Sequence, residues 1–501
     1  MTVKHITSLN PHACELMECS MRWMDQQWDS TADLLWLQSP DGEPAGHHVR
    51  ETCWYAQGLL LRGSEDDIQR ACQALRRILT YQFDAPGTPY DGTWCLFPEA
   101  PLPPPVGARL WKDYDPNWRE FIGATLAVIL LDYEPILPHA LVSSIDDALR
   151  KTIRGALARN LPASYTNIAL MHAFLLLFTG ERLAEASWIS AGEHMAQEIH
   201  RLFIENNNAF SEFNAPTYYG VDFYALGLWC AYSSSPLLQQ LAVEMETALW
   251  VDIARMYHAD MQNMAGPFDR SYGMDMRNYA TIIGLCIWMA IGKQAAPFPD
   301  ITLPFNHEYD FAFAPPLVAV GVRVPAEVLP HLHTFQGERQ IKRVISRDQQ
   351  RIVTAWIGND ILVGGEYTSY SQPTSDQFHP ATIHWKSTAN TISWIKLIYT
   401  TVTTLVNAVA EKGELSISVL LQENNELNVT FQIYAPGSSI DSIQAHLWQL
   451  PDLSVSVETN AHYVGTSFNG QSFDVSYVLR EISPDQAALF ILRTSAYNST
   501  N

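Results

Sequence analysis

Ala295-Ala-Pro-Phe-Pro-Asp-Ile-Thr-Leu-Pro304 divides this chain into two textures. Its prolines cannot continue a helix. Before it, apolar residues recur at helical spacing, predicting helices over roughly 13–28, 50–62, 65–82, 117–132, 143–159, 165–179, 187–205, 219–233, 236–258 and 275–291. Ser64 and Ser144, each ahead of acidic residues, read as helix caps. After it come short runs of β-branched residues at period two, split by Gly, Asn and Asp turns: Gly321-Val-Arg-Val, Arg351-Ile-Val-Thr-Ala-Trp-Ile, Leu427-Asn-Val-Thr-Phe-Gln-Ile and others. So many antiparallel strands require two packed sheets. The reading is α+β and multidomain: an N-terminal (α/α) toroid over residues 1–298 and a C-terminal antiparallel β-sandwich over 299–501. Helices in consecutive pairs stack as an open solenoid or a closed double ring. Closure is expected, because the polar motifs stand where inner helices begin.

At 501 residues the chain exceeds one ordinary core. The formal charge of −22 argues against nucleic acid, whose phosphates need a basic face, and against anionic membranes. An acidic polymer would need a local basic site, for which Arg255, Arg270 and Arg277 are candidates. Seven cysteines, without CxxC spacing, read as reduced thiols and offer neither a disulfide framework nor a zinc site. No metal and no nucleotide cofactor is expected, because no ligand cluster or Gly-rich phosphate loop is visible. The start of the chain carries no apolar leader, which favours a cytoplasmic location.

The densest chemistry lies in Phe210-Ser-Glu-Phe-Asn-Ala-Pro-Thr-Tyr-Tyr-Gly-Val-Asp-Phe-Tyr224. A carboxylate (Glu212), an amide (Asn214) and two phenols (Tyr218, Tyr219) enter an apolar helix there. Capping accounts for Asn214 and Pro216 but not for Glu212 beside two phenols. Tyr219 is read as the inward-facing phenol. A second run, Asp269-Arg-Ser-Tyr-Gly-Met-Asp275, brings Arg270, Tyr272 and Asp275; an Asp–Arg pair stitching the loop is its structural alternative. Asn167 opens an apolar helix, either as a cap or as an amide aimed into a ring mouth, whereas His172 reads as a core histidine. The aromatic loop Thr88-Pro-Tyr-Asp-Gly-Thr-Trp-Cys-Leu-Phe-Pro98 offers Trp94. His258, and His379 from the strand-rich half, are further candidates for contacting substrate.

A helical ring followed by β-sandwiches resembles the toroid-plus-sandwich polysaccharide lyases, of the chondroitin/hyaluronate lyase and heparinase II/III-like kind. Those enzymes place an Asn, a Tyr and an Arg around the ring mouth, usually with a His. The order Asn167, Tyr219, Arg270 is similar. The His expected shortly before the Tyr is missing, with Glu212 or Asn214 in its region. The resemblance implies β-elimination at a uronate of an oligo- or polysaccharide. Asn167 would bind the substrate carboxylate, and Tyr219 would take the α-proton. Arg270 would favour the phenolate, and Tyr272 would share the acid role. Three alternatives stay open: a glycoside hydrolase using two of Glu212, Asp222, Asp269 and Asp275, a biosynthetic isomerase, dehydratase or cyclase on a non-sugar molecule, and a catalytically inactive binding protein.

Overall fold

The computed structural model describes residues 3–38, 45–368, 377–387, 391–398, 404–421, 426–480 and 487–497. Its helices are α1 Pro11–Gln27, α2 Val49–Arg62, α3 Glu65–Leu79, α4 Trp118–Tyr133, α5 His139–Arg159, α6 Thr166–Leu183, α7 Ala186–Glu205, α8 Tyr218–Tyr232, α9 Pro236–Met256, α10 Ile282–Ile291, α11 Ala314–Val320 and α12 Leu329–His333. Two compact units emerge: Met1–Leu202 with Tyr218–Thr247 and Tyr279–Val324, and Phe203–Thr217 with Ala248–Asn278 and Pro325–Asn501. The strand-rich unit therefore takes in two segments from the helical half, which a single boundary near residue 298 does not anticipate. Helical structure also runs past Pro304, through α11 and α12, and Gly321–Val324, read above as a strand, is irregular.

In the first unit the inner helices touch in the order α1, α2, α4, α6, α8, α10 and back to α1, so the ring closes. From α2 to α10 they run parallel, because early residues of one meet early residues of the next. Helix α1 runs the opposite way, with His12 and Glu15 at its start against Gly292 and Trp288 at the end of α10, and Asp25 near its end against Tyr55 of α2. Trp54 of α2 packs on Phe121 of α4, Glu120 of α4 faces His172 of α6, and Gly220 of α8 abuts Ile282 of α10. A Cβ at Gly220 would stand 2.5 Å from the Ile282 backbone, so only glycine permits that approach. The hollow is filled by a 3₁₀ turn, Glu308–Phe313, and by α11, which touch α1, α2 and α10. Phe313 lies 4.6 Å from Trp54 and 5.0 Å from Tyr224 between ring centres.

Ser64 caps α3 in a full capping box with Asp67. Ser144 does not cap: α5 starts earlier, after Pro138, and the Ser144 hydroxyl bonds back to Ala140 O. The helix expected from 275 starts at Ile282, where the Thr281 side chain accepts from Gly284 N.

Strands β1 Trp28–Asp29, β2 Leu34–Leu37 and β3 Gly46–His48 form a small sheet in the first unit, and β4 Tyr257–His258 pairs with β5 Asn263–Met264 in the second. The second unit is otherwise two antiparallel sheets. One has eight strands in the order β17-β18-β13-β10-β9-β8-β7-β6, the other six in the order β11-β12-β19-β16-β15-β14. Their bounds are β6 Arg339–Ser346, β7 Arg351–Ile357, β8 Ile361–Tyr367, β9 Ala381–Lys386, β10 Ile392–Ile398, β11 Thr404–Glu411, β12 Glu414–Leu421, β13 Glu426–Tyr434, β14 Ile443–Gln444, β15 Leu447–Leu450, β16 Asp452–Thr459, β17 His462–Phe468, β18 Phe473–Arg480 and β19 Ala487–Tyr497. Alternate residues of both sheets, among them Ile383, Ile395, Phe431, Val475, Ile417, Trp448 and Phe490, make one apolar core.

Two buried imidazoles set an acid limit on this unit. Burial lowers His379 and His384 from 6.5 to about 3, and among the described residues both ring nitrogens of His384 lack a hydrogen-bond partner. Below pH 6.5 the unfolded chain takes up protons that the folded chain refuses until about pH 3. Stability therefore falls as pH drops through that window, by about 1.4 kcal/mol per pH unit for each histidine. His384→Leu is expected to hold its urea midpoint better than the parent between about pH 7.5 and about pH 5, and to be neutral or stabilising at the higher value. An unchanged pH slope would contradict this.

Candidate active site

In the first unit the N-terminal ends of α2, α4, α6 and α8 lie together, each carrying the positive end of a helix dipole. Polar and charged side chains gather at these ends. Glu51 takes the Arg50 guanidinium at 3.0 Å through Nε and 2.5 Å through Nη2, and His48 Nδ1 lies 3.4 Å away. Burial pushes the Glu51 carboxyl up, but Arg50 and His48 outweigh it and hold it at about 2. The Arg50 side chain is 16 % exposed and lies over the rings of Trp54, Trp118 and Phe121.

Next to it, the Asn117 amide donates to the Tyr165 hydroxyl at 3.0 Å and accepts from Arg159 Nη1 at 2.7 Å. Arg159 also lies over the Tyr165 ring and, among the described residues, meets no carboxylate within 4.0 Å. Asp115 accepts from Asn117 N, and burial pushes its carboxyl up to about 6 against the pull of Arg50 and Arg159. Farther down, Glu120 Oε1 stands 3.4 Å from His172 Nδ1, both side chains almost fully buried.

Asn167 is the second residue of α6, and the helix has no side-chain cap. It is 1 % exposed, and its Oδ1 has no hydrogen-bond partner among the described residues. Tyr219 is the second residue of α8 and equally buried, while Tyr218 is half-buried. Trp94 is fully buried and bridged to Gln82, with no face open for stacking.

Asp222 lies on α8 as well and is buried. The remaining sequence candidates lie in the second unit, where most are tied to one another or to backbone. Arg270 Nη1 donates to Glu212 at 2.7 Å and its Nε to Gln377 at 3.0 Å. Burial pushes the Glu212 carboxyl up, with Arg270 opposing. Asn214 donates to the carbonyls of Ala265 and Pro267, each at 2.7 Å. Asp275 folds its own turn, accepting from Arg277 N and Asn278 Nδ2. His258 Nε2 donates to Asn359 O at 2.9 Å, Nδ1 accepts from Met261 N, and the ring stacks on Phe335. His379 Nε2 donates to Ser271 O, and Tyr272 is exposed. Beneath this loop, Arg351 joins the carboxylates of Asp269 and Glu366.

Sequence reasoning passed over Arg50, Glu51, Asp115, Glu120 and Arg159. A signal was present: His47-His-Val-Arg-Glu51 and Asp113-Tyr-Asp-Pro-Asn-Trp-Arg-Glu120 are polar runs entering apolar helices, the same pattern as Phe210–Tyr224. Among the described residues no group of three or more His, Cys, Asp or Glu gathers to hold a metal ion, and no helix is long and apolar enough to cross a membrane.

These features define a helical-ring protein with two antiparallel sheets and a polar cluster at the N-terminal ends of its inner helices. The chain belongs to the family described as domain of unknown function DUF8769, whose model matches residues 14–323; residues 333–479 match a second one, DUF8770. No curated protein matches the sequence. Among solved structures there is a distant likeness to heparinase III (TM-score 0.47, 10% identity, 98% of this chain and 86% of that one). A heparan sulfate lyase HepC mutant from Pedobacter heparinus gives 0.33, 10%, 98% and 84%. The endoglucanase CelQ from Clostridium thermocellum complexed with cellotriose gives 0.27, 11%, 98% and 93%.

The Arg351 cluster supports a stability test. Arg351 donates through Nε to Glu366 at 2.7 Å, and Asp269 also accepts from Phe213 N at 2.8 Å. Arg351→Met would leave two buried carboxyls without their cation. The expected loss is about 3–5 kcal/mol in urea denaturation of the full chain, and a loss below about 1 kcal/mol would show that the cluster contributes little.

Proposed function

We propose that this protein is a carbohydrate-active enzyme that cleaves a uronate-containing saccharide by β-elimination at the N-terminal ends of its inner helices. The observation that carries the reading is the buried, partnerless amide oxygen of Asn167 on the first turn of α6. A buried acceptor without a donor is costly, and the protonated or enolic form of a substrate carboxyl supplies that donor. Helix N-termini favour the negative charge that develops there. Tyr219, on the first turn of the adjacent α8, is the proposed base. As its phenolate it takes the proton from the carbon α to the carboxyl; the electron pair forms the carbon–carbon double bond, the C–O bond to the leaving sugar breaks, and the phenol so formed returns the proton to that oxygen, restoring the phenolate.

The cation for the substrate carboxylate is assigned to Arg159, whose direct partner is the neutral Asn117 amide. Arg270 is engaged by Glu212. His172, with Glu120 at its Nδ1, is a positioning residue.

A hydrolase remains the second reading, favoured by the split between Asp115, raised to about 6, and Glu51, held at about 2. Product chemistry separates the two. Elimination yields the ultraviolet absorbance of a conjugated double bond, whereas hydrolysis yields new reducing ends without it. Tyr219→Phe is expected to abolish turnover of a glucuronate-containing oligosaccharide, and Asn167→Ala to lower kcat by roughly a hundredfold or more, both with unchanged thermal midpoints. Full activity in Tyr219→Phe would remove the proposed base.

A further inference from the structure

The eight-stranded sheet has two edge strands of opposite character, β6 and β17. An open edge presents unpaired backbone N–H and C=O groups, and proteins guard such edges with charge. β6 carries an exposed Lys342, and its Arg339 and Arg343 reach across to the backbone at residues 254–257 and 207–208, tying neighbouring segments of the chain to this edge. β17, His462-Tyr-Val-Gly-Thr-Ser-Phe468, contains no Lys, Arg, Asp or Glu. It shows large apolar groups to solvent instead: Val464 is 62 % exposed, Phe468 54 % and Tyr463 37 %, with Ile440 at 44 % on the adjoining turn Ile440–Ser442. A bulge breaks the register with β18 between Tyr463 and Gly465, but residues 465–468 run regularly against Ser476, Val475, Asp474 and Phe473.

We infer that β17 is a self-association edge, at which two copies of this chain pair β17 to β17 antiparallel about a two-fold axis. The occupant is argued from the strand itself. A two-fold contact sets the same residues against each other, and a strand without Lys, Arg, Asp or Glu sets none of those charges against its own copy when so paired. Tyr463, Val464 and Phe468 of one copy would then lose water against those of the other. A partner recognised by charge would find nothing on this strand to pair with. The contact works against the net charge of −22 carried by each chain. Added salt screens that repulsion, so the dimer strengthens with ionic strength, opposite to an interface built on ion pairs. This inference is independent of the proposed chemistry, since it uses no residue of the ring.

Sedimentation velocity of the full chain over a concentration series, at low and high sodium chloride, tests it. The expected result is a concentration-dependent monomer–dimer equilibrium shifted toward dimer by salt. Val464→Lys and Phe468→Lys, both at exposed positions, should each weaken the dimer tenfold or more while leaving the far-ultraviolet circular dichroism unchanged. Lys342→Ala on the opposite edge should leave the equilibrium as in the parent. A chain monomeric at every concentration and salt would overturn the proposal, as would a dimer unaffected by both lysine substitutions or one that dissociates as salt is raised.

Discussion

A closed ring of six helices must fill its own centre. Empty space forfeits dispersion contacts on every inward side chain, and protein interiors pack too densely to tolerate it. Here the filling comes from sequence far beyond the inner helices, the turn Glu308–Phe313 and α11, whose residues Ala314–Val320 are all buried. Phe313 seats among Trp54, Phe121 and Tyr224, and Phe311 among Trp23, Trp288 and Phe298. With the axis occupied by aromatic and aliphatic groups, charged groups are driven toward the helix ends. That is why the chemistry-bearing residues of this unit cluster at the starts of α2, α4 and α6, where dipoles and neighbouring cations offset the loss of water.

The cluster shows how such a place holds several charges at once. Glu51 stays ionised because Arg50 and His48 outweigh its desolvation. Asp115 has only the Asn117 N–H and more distant cations, so burial prevails and its carboxyl rises toward neutrality. Two carboxyls under one set of helix ends are thereby pushed in opposite directions, the condition under which one serves as an acid and the other as a fixed charge.

The alternation of helix and strand was legible because period is a local property. Pro297, Pro299 and Pro304 mark a stretch between α10 and α11 that does not continue a helix, α10 itself ending on Gly292, and Arg351–Ile357 or Glu426–Tyr434 alternate plainly. The plug was not legible, since Phe311–Val320 is a short apolar run whose meaning depends on a hollow made by other segments. The two-unit division was hidden for the same reason: Phe203–Thr217 and Ala248–Asn278 read as parts of the helical half, but their side chains bond to the sheets, as Arg351 and Gln377 do with the loop at 269–271. Among site residues, the dense runs at 210–224 and 269–275 drew attention because ionisable groups crowd there. The fold uses much of that crowding for internal pairing, Glu212 with Arg270 and Asp269 with Arg351. Arg159 was invisible because it closes an outer helix and becomes meaningful only through Asn117 and Tyr165.

That contrast between arginines bears on any assignment of a substrate cation. For Arg270 to receive a substrate carboxylate, Glu212 must give up a 2.7 Å charge-assisted bond and remain mostly buried with its charge uncompensated. Part of the binding energy would go into breaking that pair. Arg159 gives its hydrogen bond to a neutral amide, so an arriving carboxylate adds an attraction without displacing one. The Asn117 amide stays tied to Tyr165, which holds the guanidinium in place before anything binds and lowers the ordering cost of recognition. By this reasoning a cation is judged by what it is already neutralised by, and proximity to a conspicuous motif is the weaker guide.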